Sequence, residues 1–515
     1  MNLLIEKKKK IQKLYEAIAI GSDTKQMIKR CSRLRWRHCS LVKGADMYDL
    51  IIKNGRVVDP LNHIDGVMDV AIENGKIAEV ASEITSQSKE VLDASGKIVM
   101  PGIIDMHTHM RTLFGHPHAQ RMVALAGVTT TLDMAGPLED ILNSIPGSGA
   151  GVNIAVLEAA QAGVTLSSGR PEKAEREAFI KGILEKGGIG IKLLGGHYPM
   201  DLDISAAFIE DAAAQNAWVA WHVGNTEHGS NILGLEDAVK ATNGHFLHIA
   251  HVNSYCRAQV RNELDEALEA VELLKANPHI FSESYLSALN GTRLTIENGR
   301  PVSKVTETCL KKVGCTPDEE GMRKAILTGR VGVLCDDGRI GRLINGQEGL
   351  DYWLSKKTVT SGSFAVNPAI SRFILAQAKR EDGSFVVDSF STDGGTYPRN
   401  VIVENGLCLV QFGAITLNEF VIKASVNGAK ALGLQKKGHI SEGADADISV
   451  LDYDRKIAYA TVVDGKVIMK DGELLGKGTT IICDERGEAY LKDRGIRAYV
   501  KQPLVAETIK NRLIP

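Results

Sequence analysis

Two histidines one residue apart, His107 and His109 in PGIIDMHTHM, close a short apolar run. On a strand, side chains alternate between faces, so both imidazoles point the same way and can hold one metal ion. Lys192 stands inside the apolar run GIGIKLLGG, a place where lysine is rare unless it is paired or chemically used. A lysine carbamate formed with CO₂ is anionic, and its two oxygens can bridge two cations. His222 ends WVAWHVGN, and His251 ends HFLHIAHVN 29 residues later, a spacing that fits one βα repeat. Strand alternation in the latter run groups His245 with His251 and sets His248 on the opposite face. An acid completes the series: Asp393 in FVVDSFSTDGGTYP, with Asp336 or Asp337 in VGVLCDDG as its rival.

The elements needed to bring these groups together can be read around them. The runs GVTTTLDMAG, VNIAVLEAA, GIGIKLLGG, WVAWHVGN and HFLHIAHVN are strand candidates. EKAEREAFIKGILEKG, AAFIEDAAAQN and RNELDEALEAVELLKAN have the pattern of amphipathic helices. Such alternation implies a parallel sheet, and roughly eight units close a barrel with its chemistry at the C-terminal strand ends. Before and after the barrel lie short strands with turn signals: Asn54-Gly55 and Asn74-Gly75 near the start, Asp464-Gly465 and Asp471-Gly472 near the end. Each dipeptide marks a hairpin, and the two β-rich pieces are expected to form one small domain.

The fold class expected is therefore α/β: a (β/α)8 TIM-like barrel with a small β-sandwich domain formed by N- and C-terminal segments. The boundaries are a basic, poorly ordered extension over 1–46, the β-domain over 47–100 and 436–485, and the barrel over 101–435. An insertion near 292–360 interrupts the barrel, and 486–515 form a C-terminal tail.

As a set, these motifs resemble the amidohydrolase superfamily, in the branch of dihydroorotases, hydantoinases and dihydropyrimidinases. PGIIDMHTHMR is similar to the branch's opening motif, GIKLL to its carboxylated-lysine strand, and WHVGN and HIAHVNS to its later histidine strands. HIFSESYLSALNG is similar to the next strand, usually centred on a glutamate, here Glu283. FAVNPAISR resembles the Asn-Pro-Pro segment with Ala369 for the second proline, and STDGGTYP the catalytic-aspartate segment with Gly394 in place of a frequent histidine. The order of these segments selects Asp393 over its rivals.

The resemblance implies two divalent metal ions, with zinc the expected metal. His107, His109 and Asp393 hold one and His222 and His251 the other, bridged by a CO₂-derived carbamate on Lys192. It implies hydrolysis of a C–N amide bond, with ring opening of a cyclic amide, imide or ureide as the type reaction and Asp393 as proton shuttle. A linear N-acyl amino acid on the same scaffold is the alternative, and a non-catalytic barrel subunit of a larger complex a further one. Arg111, Tyr198, Asn225 and Asn367 are the candidate substrate-binding residues; His116 and His118 follow the first strand as loop residues. A homo-oligomer, dimer or tetramer, is implied by the resemblance alone.

Composition is ordinary for a soluble globular protein. Of 515 residues, 24% are charged and the net charge is −2, so the chain as a whole is no nucleic-acid or membrane binder by charge. The charge is uneven: residues 1–46 carry 12 Lys/Arg against 4 Asp/Glu. Eight scattered cysteines without a C-x-x-C pair suit reduced thiols, and hence a cytoplasmic location. No apolar run approaches the ~18 residues of a membrane span.

Overall fold

The computed structural model describes residues 47–111 and 118–503, and the described residues from Tyr48 onward form one compact unit. The expectations for 1–46 and for His116 lie outside the described residues. The two terminal segments join in one small domain. Strands Tyr48–Asp59, Ile64–Glu73, Lys76–Ala81, Ser88–Asp93 and Ile98–Pro101 share a nine-stranded sheet with Ile448–Asp452, Ile457–Val463, Lys466–Lys470 and Glu473–Leu474. The joint is antiparallel, with Val99 opposite Val450. Their buried faces, including Leu50, Val70, Val99, Ile448 and Val462, form a common core.

Three of the four turn signals make hairpins. Asn74-Gly75, Asp464-Gly465 and Asp471-Gly472 all take positive φ at both positions, the geometry a two-residue turn needs. Asn54-Gly55 does not: the strand runs unbroken from Tyr48 to Asp59, and the pair forms a bulge against Ile64–Glu73. Asp69 accounts for this, because its carboxylate accepts the Asn54 N–H at 2.9 Å and the Lys53 ammonium at 2.7 Å across the strand pair.

The barrel strands are β1 (Ile103–His109), β2 (Val128–Ala135), β3 (Ala150–Ala160), β4 (Gly190–Leu194), β5 (Trp218–His222), β6 (Leu247–Ile249), β7 (Ile280–Tyr285), β8 (Ser389–Ser391) and β9 (Gly394–Gly395). Neighbours from β1 to β8 pair in parallel, and β9 returns to β1. β8 and β9 are halves of one closing strand. Ser389–Ser391 pairs with β7, and after a break at Thr392-Asp393 the chain pairs with β1.

The insertion leaves the barrel after β7 as a separate layer. A four-stranded sheet, Leu289–Arg293, Ser361–Ala365, Val331–Asp336 and Gly341–Ile344, packs with helices Lys304–Lys312, Glu319–Leu327 and Gly346–Ser355. It has its own core, with Leu310, Met322, Ile326, Trp353 and Phe364 fully buried. The end of the chain departs from the expected boundary. Gly478–Cys483 pairs in parallel with β3, helix Glu485–Asp493 follows, and Arg497–Val500 adds a further parallel strand. Residues 478–500 thus form a β-α-β unit on the barrel sheet, neither part of the small domain nor a loose tail. None of the described helices is long and apolar enough to cross a membrane.

Candidate metal and catalytic site

The C-terminal ends of β1, β5 and β6 meet the closing strand at one place. His107 is fully buried; its Nδ1 lies 2.6 Å from Glu283 Oε1 on β7, and its Nε2 3.5 Å from Asp393 Oδ1. His109 is partly exposed and brings its Nε2 to 2.9 Å from the same Oδ1. The two rings are 5.4 Å apart, as alternate residues of one strand should be. Asp393 occupies the break in the closing strand with φ 50°, and its N–H donates to the His107 carbonyl at 2.8 Å. Arg399 grips it from behind, Nη2 at 2.8 Å from Oδ2 and Nε at 2.6 Å from the Asp393 carbonyl. Burial alone would raise this carboxyl, but Arg399, His107 and His109 hold it well below the usual carboxylate range.

On the other side, His222 Nδ1 and His251 Nε2 stand 3.1 Å apart, and His222 Nε2 is 3.0 Å from Ser230 Oγ. The His251 ring stacks on His107 at 5.0 Å. Glu283 ties the halves together: Oε1 also accepts the His251 N–H at 2.6 Å, and Oε2 accepts the Ser391 hydroxyl. Burial pushes Glu283 up to about 8.

The alternation expected in HFLHIAHVN fails at its end. β6 stops at Ile249, and His251 takes φ 35°, so it turns inward although His248 does too. His248 lies below the site, fully buried, accepting from Trp218 Nε1 at 3.3 Å and 3.9 Å from Glu283. The αL residue after the strand breaks period two, which no parity argument contains.

Lys192 is fully buried on β4, and its one hydrogen-bond contact among the described residues is Met134 Sδ at 3.3 Å. Burial lowers this ammonium to about 8, against the charges of Glu283, Asp393 and Asp133. Burial also pulls His107, His222 and His251 well below 6.5, with Lys192 adding to the shift at each. A barrel mouth of neutral imidazoles, an ionised aspartate and a buried amine is a donor set for cations. His107, His251 and Asp393 place ligand atoms within 4.8 Å of one another. His251 Nδ1 is buried without a hydrogen-bond partner among the described residues. The 3.1 Å between His222 and His251 nitrogens is near what two ligands ~2.0–2.1 Å from one tetrahedral ion require. The residues present therefore fit a metal centre.

The rival acids lie elsewhere. Asp336 Oδ1 is 2.7 Å from His118 Nε2, and Asp337 caps its own turn through the N–H groups of Arg339 and Ile340. The substrate-binding candidates divide. Arg111 is exposed, two residues past the end of β1. Tyr198 is 49% exposed and lines a crevice with Leu193, Ser205 and Trp221, on the helix side of β4 and β5. Its neighbour His197 is the one that turns to the site, its ring 5.1 Å from His222. Asn225 is engaged in its own loop, accepting from Glu227 N and His228 N and donating to Asp237. Asn367 accepts from Arg257 Nε at 2.7 Å and donates to the Leu289 carbonyl at 3.0 Å. Sequence reasoning did not find His197, Arg257 or Arg399. His197 adjoins the GIKLLGG run and was within reach; the two arginines lie in loops without periodic signal.

A model of the amidohydrolase family matches residues 98–475. A dihydroorotase of Elusimicrobium minutum is 26% identical over 453 residues, covering 80% of this chain and 89% of that one. A dihydroorotase of Streptococcus pneumoniae is 24% identical over 419 residues, covering 78% and 90%. Among solved structures, the N-acyl-D-glutamate deacylase of Bordetella bronchiseptica, complexed with zinc and a phosphonate inhibitor, superposes with a TM-score of 0.60. It is 14% identical, with 84% of this chain and 99% of that one covered, a likeness of fold.

Proposed function

The chain belongs to the amidohydrolase family, and from that premise we propose that it opens a cyclic amide, imide or ureide by hydrolysing its C–N bond. His107, His109 and Asp393 would hold one divalent ion and His222 and His251 a second, with Lys192 as its carbamate between them; zinc is the expected metal. Ions held there would bring the pKa of water toward about 7 and polarise the amide carbonyl. Every other part of the chemistry falls to the chain.

Asp393 accepts the proton of the attacking water and returns it to the leaving nitrogen, which departs poorly as an anion. To accept, it must be ionised, and Arg399 at 2.8 Å keeps it so. Glu283 fixes the His107 ring by taking its Nδ1–H, which leaves Nε2 free to face the site. The depressed pKa of Lys192 leaves a fraction of free amine at neutral pH, the form that reacts with CO₂. The observation that carries the reading is Asp393 Oδ1 placed 2.9 Å from His109 Nε2 and 3.5 Å from His107 Nε2.

The test is a pH-stat panel of hydantoins, dihydrouracil, dihydroorotate and N-acyl amino acids with metal-loaded protein. Turnover of a cyclic member supports the reading. Turnover of N-acyl amino acids alone moves the reaction to a linear amide, and metal content of about two ions with no turnover throughout rejects the hydrolase. A dimer or tetramer is expected, and sedimentation equilibrium of the full chain checks it.

A further inference from the structure

His222 presents both ring nitrogens to protein atoms. Nδ1 looks across the site at His251 Nε2, 3.1 Å away, and Nε2 meets the Ser230 hydroxyl at 3.0 Å. Burial keeps this ring neutral, so one nitrogen carries the proton and the other is bare. The neighbours decide which. A proton on His222 Nδ1 would be donated to His251 Nε2, and the proton of His251 would then sit on its own Nδ1. That atom is buried and has no hydrogen-bond partner among the described residues. Buried N–H groups are seldom left orphaned. With the proton on His222 Nε2 the count closes better: Nε2–H donates to Ser230 Oγ, His251 Nε2–H donates to His222 Nδ1, and only a bare nitrogen of His251 is left over.

Ser230 is fixed by the loop between β5 and helix Ile232–Ala241. Asn225 closes that loop on itself. Its Oδ1 accepts the N–H groups of Glu227 and His228 at 2.8 and 2.7 Å, and its own N–H donates to the His228 carbonyl at 2.8 Å. Gln259 Nε2 donates to the Ser230 carbonyl at 3.1 Å, and Asn231 caps the helix by accepting from Leu233 N and Gly234 N. The backbone at Gly196 runs so close that a Cβ there would lie 2.0 Å from His222 Nε2. This nitrogen is crowded, and the serine hydroxyl is its hydrogen-bond partner. His107, by comparison, has the Glu283 carboxylate behind it at 2.6 Å. Behind the rings of His222 and His251, the support among the described residues is this one hydroxyl.

We propose that Ser230 is a positioning residue for the second ion site: by accepting the Nε2 proton of His222 it leaves Nδ1 bare and facing the place toward which His251 Nε2 also points. The inference rests on the metal-hydrolase reading and goes beyond it by naming the atom that His222 offers and the group that selects it. It also gives Asn225 a part, the shaping of the loop that carries the hydroxyl.

The test reads the proton directly, by NMR of the full chain with isotope-labelled histidine ring nitrogens after removal of metal by chelator. Loss of a signal in His222→Gln assigns it. Wild type is expected to carry the His222 proton on Nε2. Ser230→Ala should let that proton pass in part to Nδ1, and competition with a zinc chelator should show one of the two ions held about 10–100-fold less tightly. Ser230→Thr, which keeps the hydroxyl, should hold the wild-type tautomer and stay within threefold in zinc affinity, a rescue that a mere packing role would not give. Ser230→Gly serves if Ser230→Ala does not fold. A wild-type proton on Nδ1, an unchanged tautomer or unchanged zinc affinity in Ser230→Ala, or a Ser230→Thr variant that behaves like Ser230→Ala overturns the proposal. Turnover enters none of these readings, so a chain that hydrolyses nothing in the substrate panel still decides the role of Ser230.

Discussion

His107 Nδ1 and Glu283 Oε1 stand 2.6 Å apart inside the barrel, both out of reach of water. That one contact sets the tautomer of the first histidine and joins β7 to β1 across the barrel. Glu283 also receives the His251 N–H, so a single carboxylate orients one ligand from each proposed ion site. Replacing it by glutamine keeps the shape but turns one of its two oxygens into an amide N–H₂ donor. Glu283→Gln is expected to weaken metal affinity about 10–100-fold, with little change in circular dichroism. Metal content after dialysis against a graded chelator measures this, and unchanged retention would count against the second role.

Asp393 is asked to move the proton. Asp393→Asn should keep the fold, because its N–H still donates to the His107 carbonyl, while kcat falls about 10²–10⁴-fold. Initial rates on the substrate identified by the panel give the number. A loss below tenfold would assign the proton to another group.

Lys192 has one sulfur contact and no acid partner within ion-pair distance among the described residues. Lys192→Ala should reduce bound zinc from about two ions to fewer than one, read by atomic emission after gel filtration. Retention of both ions would dispose of the carbamate bridge.

A pH effect follows from a lysine away from the site. Lys423 is fully buried, donates to the Val387 carbonyl at 2.7 Å, and lies over the rings of Phe385 and Phe390. Burial lowers it from 10.5 to about 7. Below pH 7 the ammonium is charged in both states, and the folded chain carries the whole desolvation cost. Between pH 7 and 10.5 the unfolded chain holds a proton that the folded chain has lost, so this group's contribution to stability improves as pH rises. Lys423→Met should therefore stabilise most at pH 6, by a few kcal/mol relative to its effect at pH 10. Denaturant unfolding at both pH values checks it; a pH-independent difference would mean that the lysine stays charged.

The insertion has a core of its own, built around Trp353, whose Nε1 donates to the Leu294 carbonyl at 3.1 Å. Trp353→Ala should cost about 3–5 kcal/mol, and the loss should fall on residues 289–365. Hydrogen exchange is expected to speed there while β1 to β7 keep their protection. Equal loss in the barrel would show that the two layers fold as one.

How much of this was legible depended on whether a residue's position obeys a period. His107 and His109 were, since alternation along β1 survives to its last residue. The terminal strands were, since Asn-Gly and Asp-Gly pairs announce hairpins; Asn54-Gly55 misled because Asp69, distant in sequence, holds it as a bulge. The relation of His248 to His251 was not, because a left-handed residue breaks the alternation. Glu283 was visible only through the family resemblance, and its links to His107, His251 and Ser391 come from three separate strands. Arg257 and Arg399 sit in loops, where position follows from tertiary contacts rather than from spacing. Tyr198 and His197 show the limit most closely: adjacent residues on a turn face opposite ways, and composition does not say which.

The closing strand changes partner at Asp393, from β7 on one side to β1 on the other. The seam where the ring is sewn shut thus lies at the acid of the proposed cation site. A refolding intermediate with seven strands aligned and the eighth undocked would have imidazoles but no aspartate among them. Zinc capture by this chain should then arrive late in refolding, making it a clock for the final stitch.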